Sequence, residues 1–232
     1  MKRTSLAILV CLTTILLVGC NRGEEYDEEK IEDLFDRLSV DTSAVMANRS
    51  GNEENDSFDQ TEIYDARNRD EIVFHLITTS DNVSERRDEM IMVTPDFIYR
   101  TRTMKRYTHD YDPYSDRDFA ALIERYCTLI DLGDLSVSHL EDLALSMSEA
   151  ERFRAGNSHV LRGIVEKDDT PDGMVDAIEF EYADDRLLEL GFRREYDRRS
   201  TKQESNLVRA TYYYFTPSLF EEFPDLDEFT DA

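Results

Sequence analysis

Glycine is scarce, with eight in 232 residues, and the scarcity narrows the chemistry open to the chain. Phosphate and dinucleotide sites use clustered glycines to bring backbone N–H groups onto the ligand, and no such cluster occurs. The G-x-S-x-G elbow, the H-E-x-x-H pair and the C-x-x-C pair are also missing. Four histidines, at 75, 109, 139 and 159, are scattered without metal-ligand spacing. No cofactor and no catalytic residue is expected. Lysine is rare too: five, at 2, 30, 105, 167 and 202, beside 22 arginines. Against them stand 28 Asp and 24 Glu, for a net charge of −25. Such a field repels nucleic acid phosphates and anionic headgroups from the folded body, so neither is expected as its partner. Acid-rich, lysine-poor surfaces stay hydrated when salt screens ordinary repulsion. A salt-loving source and an ordinary acidic exported protein both fit.

What is present begins at the N-terminus. Lys2 and Arg3 precede an apolar run from Leu6 to Gly19, shorter than the roughly 20 residues of a membrane-spanning helix and right for the middle of a signal peptide. The small-residue A-x-A cleavage pattern is absent. Leu17-Val18-Gly19-Cys20 instead resembles the lipobox of prokaryotic lipoproteins: two aliphatic residues, a small residue, then Cys. That resemblance implies a diacylglycerol on the Cys20 thiol and cleavage just before it. The protein is then exported and held at the cytoplasmic membrane or cell envelope by lipid. The alternative is an uncleaved anchor with an incidental Cys20. With Cys11 removed and Cys20 lipidated, Cys127 is left alone and no internal disulfide can form. In FAALIERYCTLIDL it shares helical spacing with Leu122, Ile123, Tyr126 and Ile130, which suits a buried, inert thiol.

The mature chain divides into residues 20–60, a lipidated start with an acidic tether and one short helix; 61–217, the folded domain; and 218–232, an acidic aromatic tail. Ile31, Leu34, Phe35 and Leu38 form an amphipathic stripe over 28–38. The polar stretch ANRSGNEENDSFDQT that follows reads as a loop. Asn48, Asn55 and Asn82 match the short glycosylation pattern N-x-S, which often arises by chance. Period-two segments at 71–79, 87–95 and 96–109 read as an antiparallel meander. Helices are expected over 116–132, stopped at Gly133, and over 136–154, where Ser138 and Glu141 have capping-box spacing. Four further strands follow at 159–167, 175–183, 186–197 and 206–217. The fold class is α+β, with about seven strands, an N-terminal helix and two helices inserted midway.

The stretches MIMVTPDFIYRTR (90–102) and DAIEFEYADDRLLELGFRREY (176–196), with the lipobox and this layout, resemble the LolA-like family, which includes the mycobacterial LppX-type lipoproteins. That resemblance implies a curved, half-barrel sheet closed over a helical plug, whose concave side holds lipid or another apolar molecule. A core simply filled by the same side chains is the alternative. Two local features remain. Asp110, Asp112, Asp116 and Asp118 crowd into one loop and could hold Ca²⁺, but the Gly and closing Glu of an EF-hand loop are missing, and Asp116 also suits a helix cap. Phe220, Phe223, Leu226 and Phe229 in the tail suit packing along a sheet edge or binding to a partner. Two functions follow: a non-catalytic lipoprotein binding an apolar or lipid-like ligand, or an envelope interaction module with a filled core.

Overall fold

The computed structural model describes residues 23–53, 56–68, 70, 72–80, 85–95, 98–102, 106–108, 119–196 and 207–215. Cys20, the loop holding Asp110, Asp112, Asp116 and Asp118, and the 218–232 tail lie outside the described residues. The strands are β1 (Glu24–Glu25), β2 (Ala44–Glu53), β3 (Asp56–Asp65), β4 (Ile72–Ser80), β5 (Glu85–Val93), β6 (Ile98–Arg102), β7 (Arg106–Thr108), β8 (Ser148–Ala155), β9 (Ser158–Val165), β10 (Met174–Ala183), β11 (Arg186–Tyr196) and β12 (Leu207–Tyr214). The helices are α1 (Glu28–Phe35), α2 (Phe119–Tyr126) and α3 (Val137–Leu145).

Among the described residues, twelve strands join one open, curved antiparallel sheet in the order β1-β8-β9-β10-β11-β12-β2-β3-β4-β5-β6-β7. It consists of two meanders, β2 to β7 and β8 to β12, welded where β12 pairs with β2 in the register Tyr213↔Ala47. The α+β class with an N-terminal helix and two midway helices is observed, but the strand count exceeds the expected seven. Residues 44–53 and 56–65, which the sequence pattern places in the tether as far as 60 and in a loop over 47–61, are central paired strands. Residues 148–155, read as the end of a helix, form β8. The third strand of the first meander is divided into β6 and β7.

The N-terminal segment is docked. Asp27 caps α1 by accepting from the Lys30 backbone N–H at 3.1 Å. The stripe Ile31, Leu34 and Phe35 is buried. Arg152 on β8 pairs with Glu24 at 2.6 Å, and Lys30 and Arg152 both lie over the Tyr26 ring, with charges 5.5 and 5.3 Å from its centroid.

All three helices cover one face of the sheet. Cross-strand rows set the packing: Leu161, Phe180, Leu190, Tyr213, Ala47 and Glu62 run side by side across β9, β10, β11, β12, β2 and β3. Phe35 meets Phe180 edge-on at 5.4 Å, and Phe74 stands between Tyr64 and Tyr126 at 5.6 and 5.1 Å. Leu122 and Ile123 from α2 and Leu140 and Ala144 from α3 complete this core. Beneath the helices the inner face is therefore filled. At the β10–β11 hairpin, Asp184 and Asp185 adopt φ of +48° and +61°, the left-handed geometry of a tight hairpin turn that short Asp side chains tolerate.

The outer face is charged. Arg162 and Arg193 interleave with Glu179 and Glu195; the Arg193–Glu179 contact is 3.1 Å and the Arg193–Glu195 contact 3.4 Å. The Tyr212 ring covers Gly191, where an added Cβ would fall 2.9 Å from the ring. Asn48, in the first glycosylation pattern, is a strand residue on this face whose amide donates to Asp59 and Thr61 at 3.1 Å each. Glu189 stands directly across from Glu181. Burial, then the charges of Glu181 and Glu179, push its carboxyl from 4.5 up to about 7. The folded state thus favours protonated Glu189, and that stabilisation is complete below pH 4.5 and lost as pH rises through 7. Glu189→Gln is expected to raise the melting temperature at pH 8 and to change it little at pH 4, as read by thermal denaturation at the two values.

Candidate functional site: a groove on the inner face

The helices do not cover the whole inner face. Along the strands away from them, the next two cross-strand rows are Ile178, Phe192, Thr211, Arg49 and then Val165, Asp176, Arg194, Arg209. These rows form the floor and rim of a groove of about 480 Å³. Its wall is the loop from Thr128 to Asp134, which joins α2 to α3.

The wall is held by a buried carboxylate. Glu62 on β3 is 3% exposed. Its Oε2 accepts the backbone N–H groups of Thr128 and Leu129 at 2.9 and 2.7 Å, and its Oε1 accepts the Thr128 hydroxyl at 2.6 Å. Tyr213 donates its O–H to the Leu129 carbonyl at 2.9 Å. Burial, then the negative charges of Asp134 and Glu62, push the Tyr213 phenol up to about 12, which keeps the donor protonated. These bonds explain why α2 ends at Tyr126 and not at Gly133: the next N–H groups turn to Glu62. Gly133 serves inside the loop, donating its N–H to Asp131 at 2.8 Å.

The rim is built around Arg194, which is 8% exposed. Its Nε and Nη2 donate to the two oxygens of Asp176, both at 2.9 Å, and Nη2 also reaches Asp169 at 3.2 Å. Thr170 donates its hydroxyl to Asp176 at 2.5 Å. Burial by itself would raise the Asp176 carboxyl, but the hydrogen bonds from Arg194 and Thr170 outweigh it and hold the group below its ordinary value. Lys167, in the β9–β10 turn, places its ammonium 6.0 Å from the centre of the Phe192 ring. Phe192 meets Tyr213 edge-on at 6.0 Å.

No protein-family model matches the chain, and no curated protein matches it. Among solved structures it is similar to the crystal structure of LprF from Mycobacterium bovis, with a TM-score of 0.37 and 10% identity over 84% of this chain and 94% of that one. The likeness is too distant to carry any residue's role from one chain to the other.

None of the groove residues is singled out as a site residue by the sequence, although Arg49 is the middle residue of the Asn48 pattern and Asp176, Ile178, Phe192 and Arg194 lie in the stretch 176–196. The signal that could have found them is the phase of alternation: Asp176 shares a face with Ile178 and Phe180, and Arg194 with Phe192 and Leu190. Charged residues in an inward phase mark a place where that face ceases to be core. Of the residues singled out beforehand, Cys127 is described, and it is 6% exposed with its thiol pushed well above the ordinary value by burial and then by Glu62. That environment suits an inert thiol. Among the described residues no group of three or more His, Cys, Asp or Glu could hold a metal, and no helix is long and apolar enough to cross a membrane.

Removing the Glu62 side chain orphans the Thr128 and Leu129 donors, so Glu62→Ala is expected to cost about 1–3 kcal/mol in urea unfolding. Glu62→Gln, which keeps an acceptor oxygen, recovers part of that loss. Asp176, held below 3.8, stabilises the fold above that pH and ceases to do so as pH falls through its lowered value. Asp176→Asn is therefore expected to melt lower than the parent at pH 7, with the gap closing below pH 3.8 in a melting series.

Proposed function

We propose that this is an exported, non-catalytic lipoprotein, anchored through lipid on Cys20, whose curved sheet holds a lipophilic ligand in the inner-face groove. The observation that carries the reading is the groove itself. Its volume of about 480 Å³ falls in the ordinary range for small-molecule sites, and Val165, Ile178, Phe192 and Tyr213 line it on the face that elsewhere forms the core. Of these, Ile178 is buried in the core, while Val165, Phe192 and Tyr213 are partly buried and keep some surface toward the groove. The second reading, an envelope interaction module, is favoured by the filled layer beneath α1, α2 and α3. The ligand is thus assigned to the end that the described helices leave open.

The anchor has a geometric consequence. Cys20 lies four residues before Glu24, the first paired strand residue. Four fully extended residues span about 14 Å. Lipid on Cys20 would hold the β1–β8 edge close to the bilayer surface, without the forty-residue spacer that the sequence suggests.

Native mass spectrometry of the full mature chain, extracted from membranes in mild detergent, tests the carrier reading. A lipid-sized adduct that disappears under denaturing conditions is expected, beside a diacylglyceryl mass that remains. No removable adduct would leave the interaction module as the better account. For the anchor, Cys20→Ala is expected to abolish the covalent mass and membrane partition. If parent and variant stay equally membrane-bound and uncleaved, lipidation is wrong.

A further inference from the structure

We infer that the groove selects an amphiphile with one anionic head, a carboxylate or a phosphate, and that Arg49, Lys167 and Arg209 form the head's subsite. This rests on the carrier reading and names its ligand class. The groove combines two surfaces. Val165, Phe192 and Tyr213 offer partly exposed apolar surface, and cationic side chains of Arg49, Lys167, Arg194 and Arg209 line its rim. In a chain with a net charge of −25, these four cations stand against Asp131, Asp134 and Asp176 in the lining, a local departure from the overall excess of acid.

The acids near the rim differ in what holds them. Asp176 is bound by Arg194 and Thr170, so this buried pair is internally neutral. Asp169 is 69% exposed and touches Arg194 at 3.2 Å and Arg209 at 4.0 Å. Asp131 accepts from the Gly133 N–H within its own turn. Asp134 is 72% exposed and lies 3.9 Å from His139. Lys167, above the Phe192 ring, brings its charge to the boundary between apolar floor and rim. A ligand's apolar body on Phe192 would place its head beside that ammonium and the Arg49 and Arg209 guanidinium groups.

The overall acidity does not oppose this. Repulsion from distant carboxylates falls off over the Debye length, about 10 Å at 0.1 M salt and 3 Å at 1 M, whereas close pairs inside a partly desolvated groove are screened much less. The field that turns away a polyanion at long range leaves a single buried head to its nearest neighbours.

The test is calorimetric titration of the full mature chain, freed of its co-purified ligand, with three probes of one chain length below their critical micelle concentrations. They are a fatty-acid carboxylate, the lysophosphatidate and the neutral monoacylglycerol. Both anions, or either one, are expected to bind at least about tenfold tighter than the neutral probe, the effect of one charge-assisted contact. Preference for the carboxylate alone points to a free fatty acid, and preference for the phosphate alone to a phospholipid head. Lys167→Glu, in an exposed turn, should narrow the anionic-to-neutral ratio several-fold. Arg49→Gln should do the same, with the melting temperature checked for folding. Equal binding of neutral and anionic probes would overturn the inference and spare the carrier reading. Failure of all three to bind would overturn both. A preference that survives both substitutions would overturn the assignment of the subsite.

Discussion

Glu62 is where the two meanders, the helices and the groove depend on one another. Its carboxylate lies on the inner face of β3, among core side chains, where an unpartnered charge would be costly. It is matched by two backbone N–H groups and a hydroxyl from the segment just after α2. Those bonds end α2 and fix the loop to Asp134 against the sheet. Tyr213, beside Ala47 in the same cross-strand row, binds the loop from the other side. Together these bonds give the wall of the groove its position against the sheet.

The pairing of β12 with β2 sets the stage for this contact. It joins segments about 160 residues apart and makes one sheet from two local meanders. Each meander is built from neighbouring hairpins, so most strand pairs form locally. The weld between them is the slow, non-local step on general grounds, because long loops must close before its contacts form. It also brings Arg49 on β2 beside Thr211 and Phe192, on strands that come from the other end of the chain.

The same geometry explains which parts of the fold were legible. Strands β9 to β12 and β4 alternate cleanly because their inward positions are largely core: Phe180 and Tyr182, Leu190 and Phe192, Ile72 and Phe74. Helix α1 was legible for the same reason at period 3.6. Strands β2 and β3 were not. Their inward positions pass from Val45 and Ala47 to Arg49, and from Tyr64 to Glu62 and Gln60, as the strands leave the helices for the groove. The polar residues of the site thus erased the pattern that marks a strand. Strand β8 was hidden differently: Leu140, Ala144 and Met147 continue a helical period up to a register shift between Ser148 and Glu151, with Glu149 in the left-handed region and no Gly or Pro to signal the stop.

Composition and local periodicity, taken alone, determined the α+β class, the antiparallel hairpins and the buried character of Cys127. These are properties of short segments, set by backbone preference and by which side chains avoid water. Tertiary structure decided the number of strands, the end of α2, the docking of the N-terminal segment onto β8 and the existence of the groove. Each of these depends on a partner distant in sequence: Glu62 for the loop, Arg152 for Glu24, and β12 for β2. A charge in an inward-facing position has no meaning until its neighbours across the sheet are known, and that register is a property of the folded chain.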